Sequence, residues 1–125
     1  MKRFAFLLSL LCLLITVNLS ATTPTCTPTG FERDGINMTA AIINPTDPVS
    51  GQVDATGCNI GVYISTVDAT IDTAEIFGAN YFGVVVNGDT GTPSASITNS
   101  KIHDIGETQP NGSQHGVGIY FRAFC

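Results

Sequence analysis

The chain has 125 residues, of which 43% are hydrophobic and 12% charged, and its formal net charge at pH 7 is −5. This length suits one small domain. The chain contains no basic stretch. A surface with this excess of acidic residues repels phosphate backbones and anionic lipid. Nucleic acid and membrane surfaces are therefore not expected as partners.

The N-terminus has the three-part layout of a secretory signal peptide. Lys2 and Arg3 precede an apolar run over residues 4–17, and small and polar residues follow. The run is shorter than the roughly 20 residues that a membrane-spanning helix needs. We expect residues 1–21 to be cleaved, with an uncleaved anchor as the alternative. The remaining chain, with a net charge of −7 from three basic and ten acidic residues, would be secreted, periplasmic or at the cell surface, without stable membrane insertion.

Residues 22–48 form the next unit of the chain. Threonine and proline are dense at its start, and Pro45 and Pro48 end it. The apolar stretch at 36–43 predicts a strand, and a very short helix over 38–43 is the alternative. We interpret 22–48 as a capping segment that precedes a repeated region over 49–125.

The repeated region shows two alternating kinds of segment. One kind has apolar residues five apart: Val53–Cys58, Ile71–Ile76 and Ile97–Ile102. The other kind begins with a glycine and continues into β-branched or aromatic residues, at Gly61, Gly83 and Gly116. Repeats of this kind are stable when they stack, because parallel pairing aligns isoleucine on isoleucine in a shared interior.

The glycines are 22 and then 33 residues apart, and the extra length falls in two loops over 87–95 and 106–115. Loops enlarged on one side of a repeat protein often form its binding face. The candidate binding residues are therefore polar groups on the second loop and nearby aromatic rings: Asn111, Gln114, His115, Tyr81 and Tyr120. The alternative for the tyrosines is a purely structural role, in which they pack at the corners of the fold.

A resemblance to a known family is carried by the stretches 33–45, 54–63, 78–88, 102–107 and 111–116. In these stretches the chain resembles bacterial exported proteins with right-handed parallel β-helix repeats, in the broad pectate-lyase-like superfamily. The resemblance implies an all-β fold, a right-handed parallel β-helix (solenoid) of about three coils. Members of this group are usually longer, and this chain stops inside a strand without a polar cap. We therefore expect a C-terminally incomplete solenoid, a truncated N-terminal fragment.

Three cysteines remain after signal cleavage, at positions 26, 58 and 125. An odd number leaves at least one without an intramolecular partner. The repeat alignment gives Cys58 the inward position of Ile76, so we expect a buried small hydrophobe, with a disulfide to Cys26 as the alternative. No Cys-x-x-Cys pair is present, and neither a metal site nor a cofactor is expected.

Pectin-cleaving members of the resembled group need carboxylate clusters or an Arg-x-Lys motif that this chain lacks, so no catalytic residue is predicted. Asp72, Glu75 and Lys101 could share one outer face as an acid/base or cation site, or as a solvated face with one salt bridge. His103 and Asp104 are adjacent and, with Lys101 nearby, could act as an acid/base pair. Adjacent strand residues point to opposite faces, however, so these two would not readily cooperate.

These observations favour a non-catalytic exported β-solenoid that binds extracellular polysaccharide or the cell surface. Two alternatives stay open. One is a lyase or glycoside hydrolase whose active site lies on coils absent from this chain, and the other is a gene fragment without independent function.

Overall fold

A computed structural model describes residues 24–106 and 116–123 of the chain, and the expected signal peptide lies outside them. The described residues form strands and connecting turns, and none of them forms a helix that could cross a membrane. The strands are β1 Thr27–Arg33, β2 Ile36–Ile43, β3 Val49–Asp54, β4 Ile60–Ile64, β5 Asp68–Phe77, β6 Phe82–Asn87, β7 Ser94–Thr98, β8 Lys101–His103 and β9 Val117–Arg122.

The first two strands form an antiparallel hairpin. Arg33 pairs with Ile36, and the two residues between them have positive φ angles, 52° at Asp34 and 76° at Gly35. A two-residue loop with this backbone is a type I′ turn, for which Asp-Gly is a preferred sequence. Residues 36–43 are therefore a strand, and the alternative of a short helix over 38–43 is wrong.

The strands form two sheets. The larger sheet has the order β1-β2-β4-β6-β9, and all of its neighbouring pairs except β1–β2 are parallel. The smaller sheet has the order β3-β5-β7, and β8 also pairs with β5. From β2 to β6, successive strands alternate between the two sheets, so each connection carries the chain from one sheet to the other.

A hydrophobic core lies between the sheets. Val62 and Val84 of the larger sheet belong to the same buried cluster as Ile71 and Ile76 of the smaller one, and each isoleucine is fully buried. A second cluster covers the other face of the larger sheet, where the ring of Phe31 contacts aromatic side chains of β4, β6 and β9. The larger sheet is thus apolar on both faces, and the smaller sheet has a polar outer face.

The prediction of a right-handed parallel β-helix of about three coils is wrong. The described chain is a small sandwich-like domain of two sheets, and the larger sheet is mixed because the Asp34-Gly35 turn sets β1 antiparallel to β2. The repeated spacing of apolar residues in the sequence indicates which strands pair. It does not determine how the paired strands close around a core, so the same pattern satisfies two packed sheets.

The pairing register confirms part of the repeat alignment. Ile71 lies opposite Ile97, and Ile76 lies opposite Ile102. The first repeat is misaligned, since Val53 pairs with Ile76 and not with Ile71. Val49 is the residue opposite Ile71, and it lies four residues before Val53, not five, because β3 has one residue fewer than β5 between Val49 and Gly51.

The glycine alignment needs one correction. Phe82 pairs with Val117 and Val84 with Ile119, which places Gly83 opposite Gly118. The alignment of Gly116 with Gly83 is therefore wrong by two residues.

The cysteine prediction is also corrected. Cys58 is fully buried, as expected, but it packs beside Ala55 and Ala79 and not at the position of Ile76. It forms a disulfide with Cys26, with the two Cα atoms 5.3 Å apart. The alternative of a disulfide is thus confirmed, and Cys125 lies outside the described residues.

Candidate functional site

The structure separates the five binding residues expected from the sequence. Asn111, Gln114 and His115 lie outside the described residues. Tyr81 is fully buried, so its ring is not open to a ligand. Tyr120 is half-buried and belongs to the aromatic cluster on the larger sheet, where its ring centroid lies 5.0 Å from that of Phe82.

A different surface gathers polar side chains, the outer face of the smaller sheet. A groove of about 380 Å³ crosses β3, β5 and the residues around β8, and it is lined by Gly51, Gln52, Thr73, Ala74, Glu75, Asn99 and Lys101. We call this the small-sheet groove. Gln52 pairs in register with Glu75, and Glu75 pairs with Lys101. Three neighbouring strands therefore place an amide, a carboxylate and an ammonium group side by side.

The backbone beneath this groove is strained. Thr73 and Asn99 have φ angles of 54° and 49°, and Gly51 beside them has 71°. A left-handed conformation is unusual for a β-branched residue such as threonine and costs about 1–3 kcal/mol. Strained residues of this kind concentrate at functional sites, which supports the groove as a candidate site.

A histidine stands beside the groove, held between two carboxylates. Nε2 of His103 lies 2.8 Å from Oε1 of Glu75, and Nδ1 lies 2.7 Å from Oδ2 of Asp104. The imidazole also stacks on the ring of Phe77, with centroids 5.4 Å apart. The two side chains meet, contrary to the expectation that they would not readily cooperate, because Asp104 follows the last residue of β8 with a φ of 51° and leaves the strand geometry.

These contacts shift the titration of both partners. The hydrogen bonds to Asp104 and then to Glu75 raise the pKa of His103 above its ordinary value. The hydrogen bonds from His103 and then from Gln52 lower the pKa of Glu75. When both ring nitrogens of His103 are protonated and donate to these carboxylates, no lone pair is left that could accept a proton from a substrate.

Asp72 lies further along β5 and has its own partners. Its Oδ1 accepts a hydrogen bond from Oγ1 of Thr98 at 2.7 Å and another from Nδ2 of Asn99 at 3.0 Å. These hydrogen bonds, that from Thr98 first, lower the pKa of Asp72. Of the expected trio, Glu75 and Lys101 line the groove, whereas Asp72 does not, although it accepts a hydrogen bond from the groove residue Asn99.

The two charged side chains that line the groove, Glu75 and Lys101, differ in their ion pairing. The salt bridge of Glu75 is made with His103, and Lys101 forms no salt bridge with any residue that the structure describes. Within 24–106 and 116–123, no group of three or more His, Cys, Asp or Glu side chains could hold a metal ion. Lys101 is exposed and lines the groove.

Sequence reasoning missed Gln52, Asn99 and Phe77 as members of this site. The signal for Gln52 was present in the repeat itself. With Val53 aligned to Ile76, the residue before each of them is Gln52 or Glu75, and the two fall on the same face.

The chain was compared with models of protein families, with curated proteins and with solved structures, and none of these comparisons found a match.

Proposed function

We propose that this chain is an exported, non-catalytic protein that binds extracellular polysaccharide through the small-sheet groove. The observation that carries the proposal is the register of Gln52, Glu75 and Lys101, which places two exposed donors on either side of a half-buried acceptor across three strands. Sugar hydroxyls both donate and accept hydrogen bonds, so a row of mixed polar groups matches a hydroxyl-rich polymer.

The shape and surroundings of the groove support a polymer over a small molecule. Gln52, Asn99 and Lys101 are exposed, so the groove is an open trough and not an enclosed cavity. Sites for small molecules usually bury most of the ligand surface. Phe77, half-buried at the end of the same strand as Glu75, adds apolar ring surface beside the polar row.

Export is supported by two features outside the groove. Residues 1–21 have the layout of a secretory signal peptide. The disulfide between Cys26 and Cys58 suits an oxidising compartment. Both features agree with a ligand outside the cytoplasm.

Binding is favoured over catalysis by the state of His103, which lies beside the groove. A general base needs a free lone pair within reach of the substrate. Both nitrogens of His103 are engaged by Glu75 and Asp104, so the ring acts as a structural link between carboxylates.

Affinity electrophoresis of the secreted protein through gels containing neutral or acidic polysaccharides tests the proposal. We expect retardation by at least one polymer, reduced in Gln52→Ala and Lys101→Ala. The matched control is Thr70→Ala, an exposed position on β5 outside the groove lining, which should migrate like the wild type.

Three outcomes would contradict the proposal. Wild-type mobility unchanged by every polymer would argue against polysaccharide binding, and equal retardation of wild type, Gln52→Ala and Lys101→Ala would place binding elsewhere. New reducing or unsaturated ends in the polymer after incubation would show cleavage and refute the non-catalytic assignment.

A further inference from the structure

Strand β8 lies at the edge of the smaller sheet, and the turn after it is also held by a backbone hydrogen bond, 3.1 Å long, from the N–H of Gly78 to the carbonyl oxygen of Asp104. β8 is three residues long, and among the described strands it pairs with β5. His103 is its last residue, and it reaches Glu75 of β5 on one side and Asp104, in the turn after β8, on the other. A side-chain link at this point adds to the backbone hydrogen bonds of both the short strand and the turn that follows it.

The geometry of this link sets its protonation state. Ionised carboxylates only accept hydrogen bonds, and each ring nitrogen of His103 lies within 2.8 Å of a carboxylate oxygen. Both contacts are hydrogen bonds only when both nitrogens carry a proton, as in the imidazolium ion. In the neutral ring one nitrogen holds a lone pair, which would face a negative oxygen and repel it.

We propose that His103 is a proton-operated clip that fastens β8 and the following turn to β5, closed as the imidazolium and open at one arm when the ring is neutral. The clip is a property of the fold and does not require the groove to bind a polysaccharide.

The charged groups around the ring favour the closed form. Asp104 faces it from the turn after β8 and Glu75 from β5, and the hydrogen bonds to these two carboxylates raise the pKa of His103, while the charge of Lys101 on β8 lowers it. Asp54 on β3 is one strand further away, opposite Phe77, and accepts hydrogen bonds from Thr56. Within the described residues, the two nearest carboxylates thus hold the proton on the ring.

The direction of the pH dependence follows from linkage. A group whose pKa is higher in the folded than in the unfolded state stabilises the fold fully below its unfolded pKa, about 6.5 for histidine. That stabilisation is lost as the pH rises through the folded pKa. The clip is therefore closed in weakly acidic solution and opens on the alkaline side of the ordinary histidine range.

Opening would also alter the small-sheet groove. Glu75 accepts hydrogen bonds from both His103 and Gln52, and it lies in register with Lys101. If the Glu75 arm is the one that opens, the carboxylate keeps Gln52 and Lys101 as its neighbours. The proton on His103 then determines how much negative charge the groove presents.

The test is a pH titration of the histidine side chains by NMR of uniformly ¹⁵N-labelled protein from pH 5 to 9, with amide hydrogen exchange measured in parallel. The sequence has two histidines, so His115→Gln assigns the signals and serves as the matched control. We expect both nitrogens of His103 to be protonated at pH 6, a midpoint above about 6.5, and a lower midpoint in Glu75→Gln and in Asp104→Asn.

Amide exchange at residues 101–103 supplies the structural readout, relative to residues 94–98 of β7, which pair with the same strand. This ratio should rise above the His103 midpoint and stay constant in His103→Gln. A singly protonated ring at pH 6, a midpoint unchanged in both carboxylate variants, or an exchange ratio that does not vary with pH in the wild type would each overturn the proposal.

Discussion

Three glycines stack in one column of the larger sheet, and the column gives a sharp test of the packing. Gly61 lies opposite Gly83, and Gly83 lies opposite Gly118. A Cβ atom added at Gly83 would stand 2.6 Å from the carbonyl oxygen of Gly118 and would also clash with Cγ2 of Ile102, across the core. The oxygen belongs to the backbone of the neighbouring strand, so it cannot move without disturbing the pairing of β6 with β9.

We therefore expect Gly83→Ala to lower the free energy of unfolding by about 1–3 kcal/mol or more, the usual cost of overpacking. For a domain of this size that corresponds to a fall in Tm of at least about 4–8 °C. Gly118→Ala is the matched control, because a Cβ there would meet only Cγ2 of Ile102 at 3.8 Å, an ordinary contact. This variant should be neutral or more stable by up to about 1 kcal/mol, since alanine restricts the unfolded chain.

Urea denaturation followed by far-ultraviolet circular dichroism measures both variants. A Gly83→Ala protein as stable as the wild type would refute the close approach of the two sheets at this column. A Gly118→Ala protein as unstable as Gly83→Ala would refute the register that places Gly118 at the outer strand.

Three further predictions concern the disulfide, the core and the outer face. Cys26→Ser should lower stability by about 3.7 kcal/mol, the loop-closure estimate for a separation of 32 residues, and a reductant should lower the wild type to the same urea midpoint. Ile76→Ala, at a fully buried side chain, should cost about 2–5 kcal/mol, whereas Ile119→Ala, at a residue that is 52% exposed, should cost much less in the same assay. The hydrogen bond from Thr98 lowers the pKa of Asp72. The stabilisation of the fold by this hydrogen bond is therefore present above the unfolded pKa of about 3.9 and is lost as the pH falls through the folded pKa. Thr98→Val should accordingly reduce the acid-dependent loss of Tm between pH 5 and 2.

The sequence allowed the strand pairing to be predicted better than the closure of the fold. Isoleucines five apart in successive segments predicted the pairs Ile71 with Ile97 and Ile76 with Ile102, because parallel strands align like residues in a buried layer. The hairpin of β1 and β2 was missed, although Asp34-Gly35 between two strand-forming segments is a strong turn signal. The packing of two sheets follows from contacts distant in sequence, which spacing does not encode.

The candidate site was predicted only in part for two local reasons. Side chains alternate along a strand, so aligning Val53 with Ile71 in place of Ile76 concealed the position of Gln52 beside Glu75. The contact between His103 and Asp104 depends on a left-handed backbone conformation at Asp104. Aspartate tolerates this conformation, but the residues beside it in the sequence do not predict it. Glu75 and Lys101 were placed correctly on one face because they are fixed by the isoleucine pairs beside them.

Chemical-shift mapping tests the central claim that the small-sheet groove binds polysaccharide. Oligosaccharides prepared from a polymer that retards the protein would be titrated into ¹⁵N-labelled protein. We predict that the largest amide shifts fall at residues 51–52, 73–75 and 99–101 and are absent at the aromatic cluster around Phe31 and Phe82 on the opposite sheet. Shifts centred on that aromatic cluster, or no shifts at saturating oligosaccharide, would contradict the assignment of the groove as the binding site.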